Sequence, residues 1–384
     1  MTRDDSSFMS LALSLGRRGQ GACWPNPAVG CVIVRDGRIV GRGWTQPGGR
    51  PHAEVVALAM AGDLARGATA YVTLEPCSHQ GETPPCSKAL IDAGIARVVA
   101  PLEDCDARVS GQGFRMLKDN GVLVDTGVLS ERAARDHAGF FLKTEQGRPS
   151  VTLKLASSFD GRIATASAES QWITGTAARR RVHALRARHD AVMIGAGTAR
   201  ADDPSLTVRD LGVDRQPVRI VVSRHLDLPF LGKLARTAKS NPVWICHGHG
   251  ADADRVAAWQ ELGAELLPCA QIGVQLDPVD VLQKLGQAGL TRVFCEGGSA
   301  LADHIVTTSP DVTSSTNLGP WVNRRKLYSR DKVEDVFKDK RIPSSQIWQK
   351  GPKGQHMELG IAENNLFSLL GQLGLAHHHF GERL

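Results

Sequence analysis

Two stretches decide how the first part of this chain folds: Pro51-His52-Ala53-Glu54, and the loop Pro76-Cys77-Ser78-His79-Gln80-Gly81-Glu82-Thr83-Pro84-Pro85-Cys86. Together they offer one imidazole, two thiols and a carboxylate two residues beyond the histidine. A catalytic zinc ion takes three protein ligands from such sulfur and nitrogen donors and leaves its fourth position to water. The predicted zinc (Zn2+) ligands are His52, Cys77 and Cys86. Glu54 is left free to carry protons beside the water.

This order of residues is typical of zinc-dependent deaminases, whose signature is H-x-E followed by P-C and a second cysteine. In such an enzyme Glu54 takes a proton from the water and hands it to the leaving ammonia. A simpler interpretation, structural cysteines with a surface histidine, would suit each residue taken singly. All four in order, with a proline directly before each ligand, favour the catalytic site.

The composition is that of an ordinary soluble globular protein. At 384 residues the chain is long enough for two or three domains. Every apolar run is far shorter than the ~20 residues that a membrane helix needs, and the acidic N-terminus does not resemble a secretory signal. Eight cysteines are too sparse for a disulfide scaffold and suit a reducing compartment. We therefore expect a cytoplasmic protein with no membrane partner.

The net charge of +6 is compatible with a nucleic-acid partner or with an anionic small substrate. Tracking single strands requires a basic groove with aromatic stacking platforms, yet only 5% of the residues are aromatic and no long basic run is interleaved with them. We therefore expect a phosphorylated small molecule and no nucleic acid. A nucleic-acid deaminase remains the alternative, and steep salt-dependent binding to single strands would favour it.

The pattern of strands and helices divides the chain into three parts. Residues 1–147 alternate between helical and strand patterns, with the metal ligands at the starts of two helices. The alternation restarts at Val151, and residues 148–304 repeat a strand, a glycine turn and a helix. That repeat predicts an open parallel sheet that binds a phosphorylated ligand at the carboxyl ends of its strands. Residues 305–384 follow neither pattern.

The first part resembles the deaminase half of the bifunctional riboflavin-biosynthesis deaminase/reductase. The resemblance rests on Asn26-Pro27-Ala28-Val29-Gly30, on His52-Ala53-Glu54 and on the cysteine loop. Eight residues separate the cysteines, whereas cytidine and tRNA deaminases have two. The resemblance implies a cytidine-deaminase-like three-layer α/β domain that hydrolytically deaminates a phosphoribosylamino-pyrimidine. It also implies that Asn26 and His79 contact substrate. Glu82 stands where the family usually has Lys or Arg, which puts one contact to the substrate in doubt.

Without the resemblance, Asn26 and His79 each have more than one interpretation. Asn26, held between prolines, is either an amide that reads a base edge or a simple turn asparagine. His79 lies too close to Cys77 to be needed as a fourth ligand, and it is equally compatible with a hydrogen bond that orients the loop.

The second part resembles the reductase half of the same family. Lys154-Leu155-Ala156-Ser157-Ser158-Phe159-Asp160-Gly161 and Gly197-Thr198-Ala199-Arg200-Ala201-Asp202-Asp203-Pro204 carry the resemblance. It implies a dihydrofolate-reductase-like α/β domain that uses NADPH to reduce the ribose to ribitol. The implied cofactor contacts are Ala156, Trp172, Thr198, Asp202, Arg224, Gly297, Gly298 and Ser299. The implied substrate contacts are Ser170, Arg186, Leu206, Arg209 and Glu296.

Charge suggests more specific roles for three cations in this half. Arg186 and Arg209 are suited to bidentate clamps on the ribose phosphate, although solvated helix and loop arginines are the alternative. Lys154 is a candidate for polarising or protonating the ribose oxygen.

The third part departs from the reductase pattern shortly after Leu301. Residues 305–384, and His356-Met357-Glu358-Leu359-Gly360-Ile361-Ala362-Glu363 in particular, resemble the central domain of transketolase-like or pyruvate dehydrogenase E1 enzymes. Glu363 matches the glutamate that contacts the aminopyrimidine ring of thiamine diphosphate there. About eighty residues cannot supply the rest of such an enzyme. We interpret them as a fragment joined to a truncated reductase, through a gene fusion or an assembly error.

The expected protein is therefore a bifunctional enzyme that binds Zn2+ and NADPH and acts on a phosphorylated pyrimidine, with homo-oligomers as one form it could take. Two alternatives stay open beside the nucleic-acid deaminase. The deaminase could work alone because the reductase sheet has lost its end. The chain could also be non-enzymatic, either an unstable product or a zinc-stabilised binding module.

Overall fold

A computed structural model describes residues 3–80, 84–107, 109–154, 156 and 174–297 of the chain. Beyond them it describes only four short strands. Residues 3–154 and 175–296 lie in one compact unit that contains two separate sheets. Among the described residues, no helix is both long and apolar enough to cross a membrane.

The first sheet has five strands in the order β2-β1-β3-β4-β5. Strand β1 pairs antiparallel with β2 and β3, and the remaining pairs are parallel. Its elements are α1 (Arg3–Gly16), β1 (Gly30–Arg35), β2 (Arg38–Trp44), α2 (Ala53–Ala61), β3 (Thr69–Val72), α3 (Cys86–Asp92), β4 (Arg97–Ala100), α4 (Gln112–Asp119), β5 (Leu123–Thr126) and α5 (Ser130–Gln146).

Helices cover both faces of this sheet, which confirms the predicted three-layer α/β fold. Successive side chains of β1 point to opposite faces. Ile33 packs in a core with Ala53 and Ala57 of α2, whereas Val32 packs in a second core with Leu13 of α1. Burial on both faces explains why β1 reads as a continuous apolar run rather than an alternating one.

The second sheet has six strands in the order β10-β9-β8-β7-β13-β6, and every pair in it is parallel. The elements of this part are β6 (Ser150–Leu153), α6 (Thr176–Ala187), β7 (Ala191–Gly195), α7 (Ala196–Asp202), β8 (Val218–Val222), α8 (Lys233–Arg236), β9 (Val243–Gly248), α9 (Ala253–Glu261), β10 (Glu265–Cys269), β11 (Gln271–Ile272), β12 (Gln275–Leu276), α10 (Pro278–Gln287) and β13 (Arg292–Cys295). Strands β11 and β12 form a separate small hairpin.

The predicted open parallel sheet is thus confirmed, and its carboxyl ends lie at one edge because all six strands run the same way. The patterns in the sequence do not locate every helix, and α5 is an example. Helix α5 has few apolar residues in regular spacing, since part of its inner face is small or polar, including Gly139 and the buried His137.

In the C-terminal stretch the structure describes a small sheet of order β14-β17-β15-β16, in which all pairs are parallel. Its strands are β14 (Thr307–Ser309), β15 (Leu327–Tyr328), β16 (Lys350–Gly351) and β17 (His356–Glu358). The rest of residues 305–384, Glu363 included, lies outside the described residues. Their resemblance to a transketolase-like domain stays a prediction, as do the three domain boundaries.

Candidate active sites

Two of the three predicted zinc ligands lie at the starts of helices, and the third lies in a loop. His52 is the N-cap of α2, and Cys86 is the first residue of α3. Cys77 lies in the loop that follows β3, and its carbonyl accepts a hydrogen bond from the Ser87 hydroxyl at 2.6 Å. The start of α2 therefore brings His52, and the start of α3 brings Cys86, to the same place as Cys77.

The distances between these side chains fit one metal ion. The Nδ1 atom of His52 lies 3.3 Å from the Sγ of Cys86 and 3.8 Å from the Sγ of Cys77. All three donor atoms lie within 4.8 Å of one another. Ligands of a tetrahedral zinc with usual bond lengths lie roughly 3.5–3.8 Å apart. One imidazole and two thiols at this spacing leave room for a fourth, non-protein ligand.

The two cysteines have different proton affinities. Hydrogen bonds lower the pKa of Cys77 to about 4: the Cys86 thiol is the main donor, and the His52 ring and the Cys86 backbone N–H add to it. The resulting negative Cys77 and burial raise the pKa of Cys86. One thiolate is therefore already favoured by the protein, and a bound divalent cation favours the second.

Glu54 lies in the first turn of α2, is only 4% exposed and contacts this cluster. Burial, and secondarily the charge of Cys77, raises the pKa of its carboxyl to about 7. A general acid–base group works best when its pKa lies near the working pH. The position and pKa of Glu54 both suit the proton shuttle that the sequence predicts.

The two predicted substrate contacts of this half lie in or against the chain segments that carry the ligands. The side-chain amide of Asn26 donates to the carbonyl of Gly49 at 3.3 Å, three residues before His52. His79 is half-buried, and its Nδ1 is one of the buried side-chain atoms that find no hydrogen-bond partner among the described residues. An unpaired buried nitrogen within the cysteine loop is available to a ligand. Glu82 lies outside the described residues.

Sequence reasoning missed the residue that anchors the cysteine loop. Glu75 is buried, and its carboxylate accepts three backbone N–H groups, from Asp104 at 3.0 Å, Gly111 at 2.9 Å and Phe114 at 3.1 Å. It thereby holds the segment before α4 against the residues that precede Cys77. The available signal was an acid three residues after the apolar strand β3 and two residues before a ligand.

The second group of predicted residues follows strands of the parallel sheet. Thr198 and Asp202 lie on α7, directly after β7, and Arg224 follows β8. Lys154 follows β6, and Glu296 follows β13. These four strands are neighbours in the order β8-β7-β13-β6, so their carboxyl ends place these residues along one edge. Open α/β sheets bind ligands at that edge.

Arg186 and Glu296 form a bidentate ion pair in which both side chains are largely buried. Arg186 Nε donates to one carboxylate oxygen at 2.5 Å and Nη2 to the other at 3.0 Å, while Nη1 donates to the Thr207 carbonyl. Two residues predicted as substrate contacts are thus brought together. A bidentate clamp of Arg186 on a phosphate would require this pair to open, so that role stays a prediction.

The other predicted cofactor and substrate contacts of the reductase half differ in exposure, and several lie outside the compact unit or outside the described residues. Arg209 is exposed, as the clamp hypothesis requires. Leu206 is 3% exposed and packs in the core of the second sheet, so only its backbone is available to a ligand in this arrangement. Ala156 and Gly297 are described but lie outside the compact unit. Four predicted contacts lie outside the described residues: Ser170, Trp172, Gly298 and Ser299.

Comparison with known families matches both halves. Residues 2–102 match the family described as the cytidine and deoxycytidylate deaminase zinc-binding region. Residues 149–309 match the family described as the RibD C-terminal domain. The riboflavin biosynthesis protein RibD of Escherichia coli is 42% identical over 310 residues, which cover 78% of this chain and 83% of that protein. The RibD protein of Aquifex aeolicus is 40% identical over 294 residues, covering 77% and 81%.

Solved structures agree with these relatives. Acinetobacter baumannii RibD superposes with a TM-score of 0.69 at 39% identity, over 78% of this chain and 82% of that one. A Thermotoga maritima diaminohydroxyphosphoribosylaminopyrimidine deaminase/5-amino-6-(5-phosphoribosylamino)uracil reductase gives a TM-score of 0.69 at 34% identity, with the same coverage. This chain belongs to the RibD family, and it is a bifunctional zinc-dependent deaminase and NADPH-dependent reductase of riboflavin biosynthesis.

Proposed function

We propose that the site at the first sheet deaminates a phosphoribosylamino-pyrimidine and that the site at the second sheet reduces the ribose of the product to ribitol. The observation that carries the first assignment is the cluster of His52, Cys77 and Cys86 within 4.8 Å, with buried Glu54 against it. The activities in the name of the Thermotoga maritima relative support the same substrate. Deamination comes first in this order because the reductase acts on its product.

Glu54 carries the proton transfers of the deamination. Zinc held by the three ligands supplies the Lewis acidity that makes water a nucleophile near neutral pH. The Glu54 carboxylate accepts the proton that this water loses, the oxygen adds to the amine-bearing ring carbon, and Glu54 returns the proton to the departing amine. Water is consumed and ammonia released. Asn26 and His79 hold the ring in place through hydrogen bonds.

The reductase residues position a cofactor and a sugar phosphate. NADPH supplies the hydride that reduces the ribose carbon. We assign Ala156, Trp172, Thr198, Asp202, Arg224 and the turn at Gly297, Gly298 and Ser299 to cofactor binding. Ser170, Arg186, Leu206, Arg209 and Glu296 are assigned to substrate binding. Lys154, which follows β6 beside β13, is assigned the role of polarising or protonating the ribose oxygen.

Three further assignments belong to this proposal. The deaminase occupies residues 1–147, the reductase residues 148–304, and residues 305–384 are a fragment that replaces the end of the reductase. The match to the RibD C-terminal family ends at residue 309, which agrees with a junction near residue 304. We also propose a cytoplasmic protein that forms homo-oligomers and binds no nucleic acid.

The proposal is tested by measuring ammonia release and NADPH oxidation separately in Cys77→Ser. The variant should lose zinc and ammonia release, yet still oxidise NADPH when supplied with the deaminated product, because the second sheet does not use the zinc site. The matched control is Cys105→Ser, which changes a cysteine outside the cluster. Retention of zinc and deamination by Cys77→Ser would overturn the ligand assignment. Absence of NADPH oxidation in the unmodified protein would favour a deaminase acting alone.

A further inference from the structure

The segment that carries Asn26 packs against the second sheet and the chain around it. Arg188, just after α6, donates from Nη2 to the side-chain carbonyl of Gln20 at 2.7 Å. The rings of Trp24 and Trp244, the latter on β9, meet edge to face with centroids 6.2 Å apart. Residues 20–24 of the deaminase half are therefore held by residues of the reductase half.

At Gly21 the backbone of this segment lies very close to the backbone of the reductase half. A Cβ atom at this position would lie 2.8 Å from the carbonyl oxygen of His189 and 2.9 Å from that of Ala187. These are backbone atoms at the end of α6 and before β7, which cannot move aside as a flexible side chain can. The backbone of Gly21 also has a φ of 78°, which favours glycine.

The other end of the segment reaches the deaminase site. The Cys23 thiol donates to the carbonyl of Asn26 at 3.4 Å, and the amide of Gly48 donates to the carbonyl of Ala22 at 2.9 Å. Asn26 in turn bonds to Gly49, three residues before His52. A displacement of residues 20–24 would therefore move the Asn26 amide relative to the zinc cluster.

We infer that the reductase half positions Asn26 for deamination, with Arg188, Trp244 and the carbonyls of Ala187 and His189 acting as positioning groups. Residues 20–29 form turns and irregular chain rather than a helix or strand, and loops hold a binding group less precisely than regular elements do. Contacts with Arg188 and Trp244 of the reductase half restrict the motion of this segment. This inference rests on the proposed role of Asn26 as a substrate contact.

Gly21→Ala tests the inference by forcing the segment away from the two carbonyls. Its matched control is Gly37→Ala, because Gly37 has a similar φ of 72° and nothing lies within 4 Å of the added Cβ. Both variants carry the same backbone strain, and only the first disturbs the contact. Loss of one hydrogen bond to substrate corresponds to about tenfold in binding.

In Gly21→Ala the KM for the pyrimidine substrate should rise about tenfold, with kcat changed less and zinc content unchanged. Gly37→Ala should keep the KM of the unmodified enzyme. A merely structural role of the contact would lower the folded fraction, and hence the apparent kcat, without changing KM. A second variant, Arg188→Met, removes the bond to Gln20 from the reductase side, and Arg188→Lys should restore part of the effect.

The outcomes separate the inference from the proposed function. If Asn26→Ala raises KM but neither Gly21→Ala nor Arg188→Met does, the inference is wrong and the role of Asn26 stands. If Asn26→Ala leaves KM unchanged, the assigned role of Asn26 is wrong and the inference falls with it. If Gly21→Ala does not fold, Arg188→Met decides alone: a raised KM supports the inference and an unchanged KM overturns it.

Discussion

At the scale of single residues, two buried carboxylates near the zinc cluster differ in what surrounds them. Glu75 accepts three backbone N–H groups and so acts as a structural anchor. Glu54 is buried against the thiols, and this raises the pKa of its carboxyl to about 7. The same side chain is thus a fixed acceptor at one position and suits the proposed proton carrier at the other, because the neighbouring donors differ.

Replacing Glu75 by Ala should lower the free energy of unfolding by about 2–4 kcal/mol, because it leaves three backbone N–H groups without their acceptor. The cysteine loop should loosen as well, so that a chelator removes zinc faster. Thermal unfolding and chelator competition measure both effects. Glu103→Ala is the control, since Glu103 is exposed and accepts a hydrogen bond from the Ser110 hydroxyl at 3.0 Å. Equal effects of the two variants would contradict the anchoring role.

His137 should make stability depend on pH. Burial lowers the pKa of this fully buried histidine from its usual 6.5 to about 4. The unfolded chain therefore binds the proton first, and stability is lost as pH falls from about 6.5 to about 4, by up to about 1.4 kcal/mol per pH unit. Unfolding should be followed across this range in the unmodified protein and in His137→Gln. The variant should show the weaker loss, and parallel curves would refute the assignment.

At the scale of elements, the start of helix α2 is set by how closely the helix approaches strand β2. A Cβ atom at Gly43 would lie 2.2 Å from the carbonyl oxygen of Ala53, the residue after His52. Only a glycine permits this distance. This short distance between α2 and β2 fixes the position of the helix on the sheet. It thereby fixes the direction in which His52 and Glu54 point.

Gly43→Ala should therefore push the first turn of α2 away from the sheet, at a cost of about 1–3 kcal/mol in stability. It should also weaken zinc binding, because one of three ligands moves. Zinc affinity by competition and the thermal unfolding midpoint are the measurements. The control is Gly250→Ala, where the added methyl group meets open space. Unchanged zinc affinity in a folded Gly43→Ala protein would show that this approach does not position the ligand.

The sequence predicted the elements that carry chemistry better than those that carry only packing. His52 and Cys86 were placed at helix starts because prolines and short local patterns mark these positions. Helix α5 was missed because its inner face includes a glycine and a histidine rather than regular apolar residues. The ion pair of Arg186 with Glu296 joins residues 110 positions apart, and no local pattern reveals such a partner.

At the scale of the whole molecule, the two sheets share one compact unit. Gln20 and Trp24, in the segment that carries Asn26, contact Arg188 and Trp244 of the reductase half. The alternating pattern predicted two α/β sheets, one of them parallel, but gave no information on which loops pack against which sheet. Contacts such as Arg188 with Gln20 depend on the folded arrangement of both halves. Sequence therefore indicated two activities, and the structure shows the packing through which one half can influence the other.

The most direct test of the account is to measure zinc content and ammonia release together in Glu54→Gln. The substitution keeps the size of the side chain and removes its capacity to carry a proton. The account predicts unchanged zinc stoichiometry, a loss of deamination of at least about 10²–10⁴-fold, and unchanged NADPH oxidation on the deaminated product. A Glu54→Gln protein that binds zinc and deaminates at the rate of the unmodified enzyme would contradict the assigned mechanism.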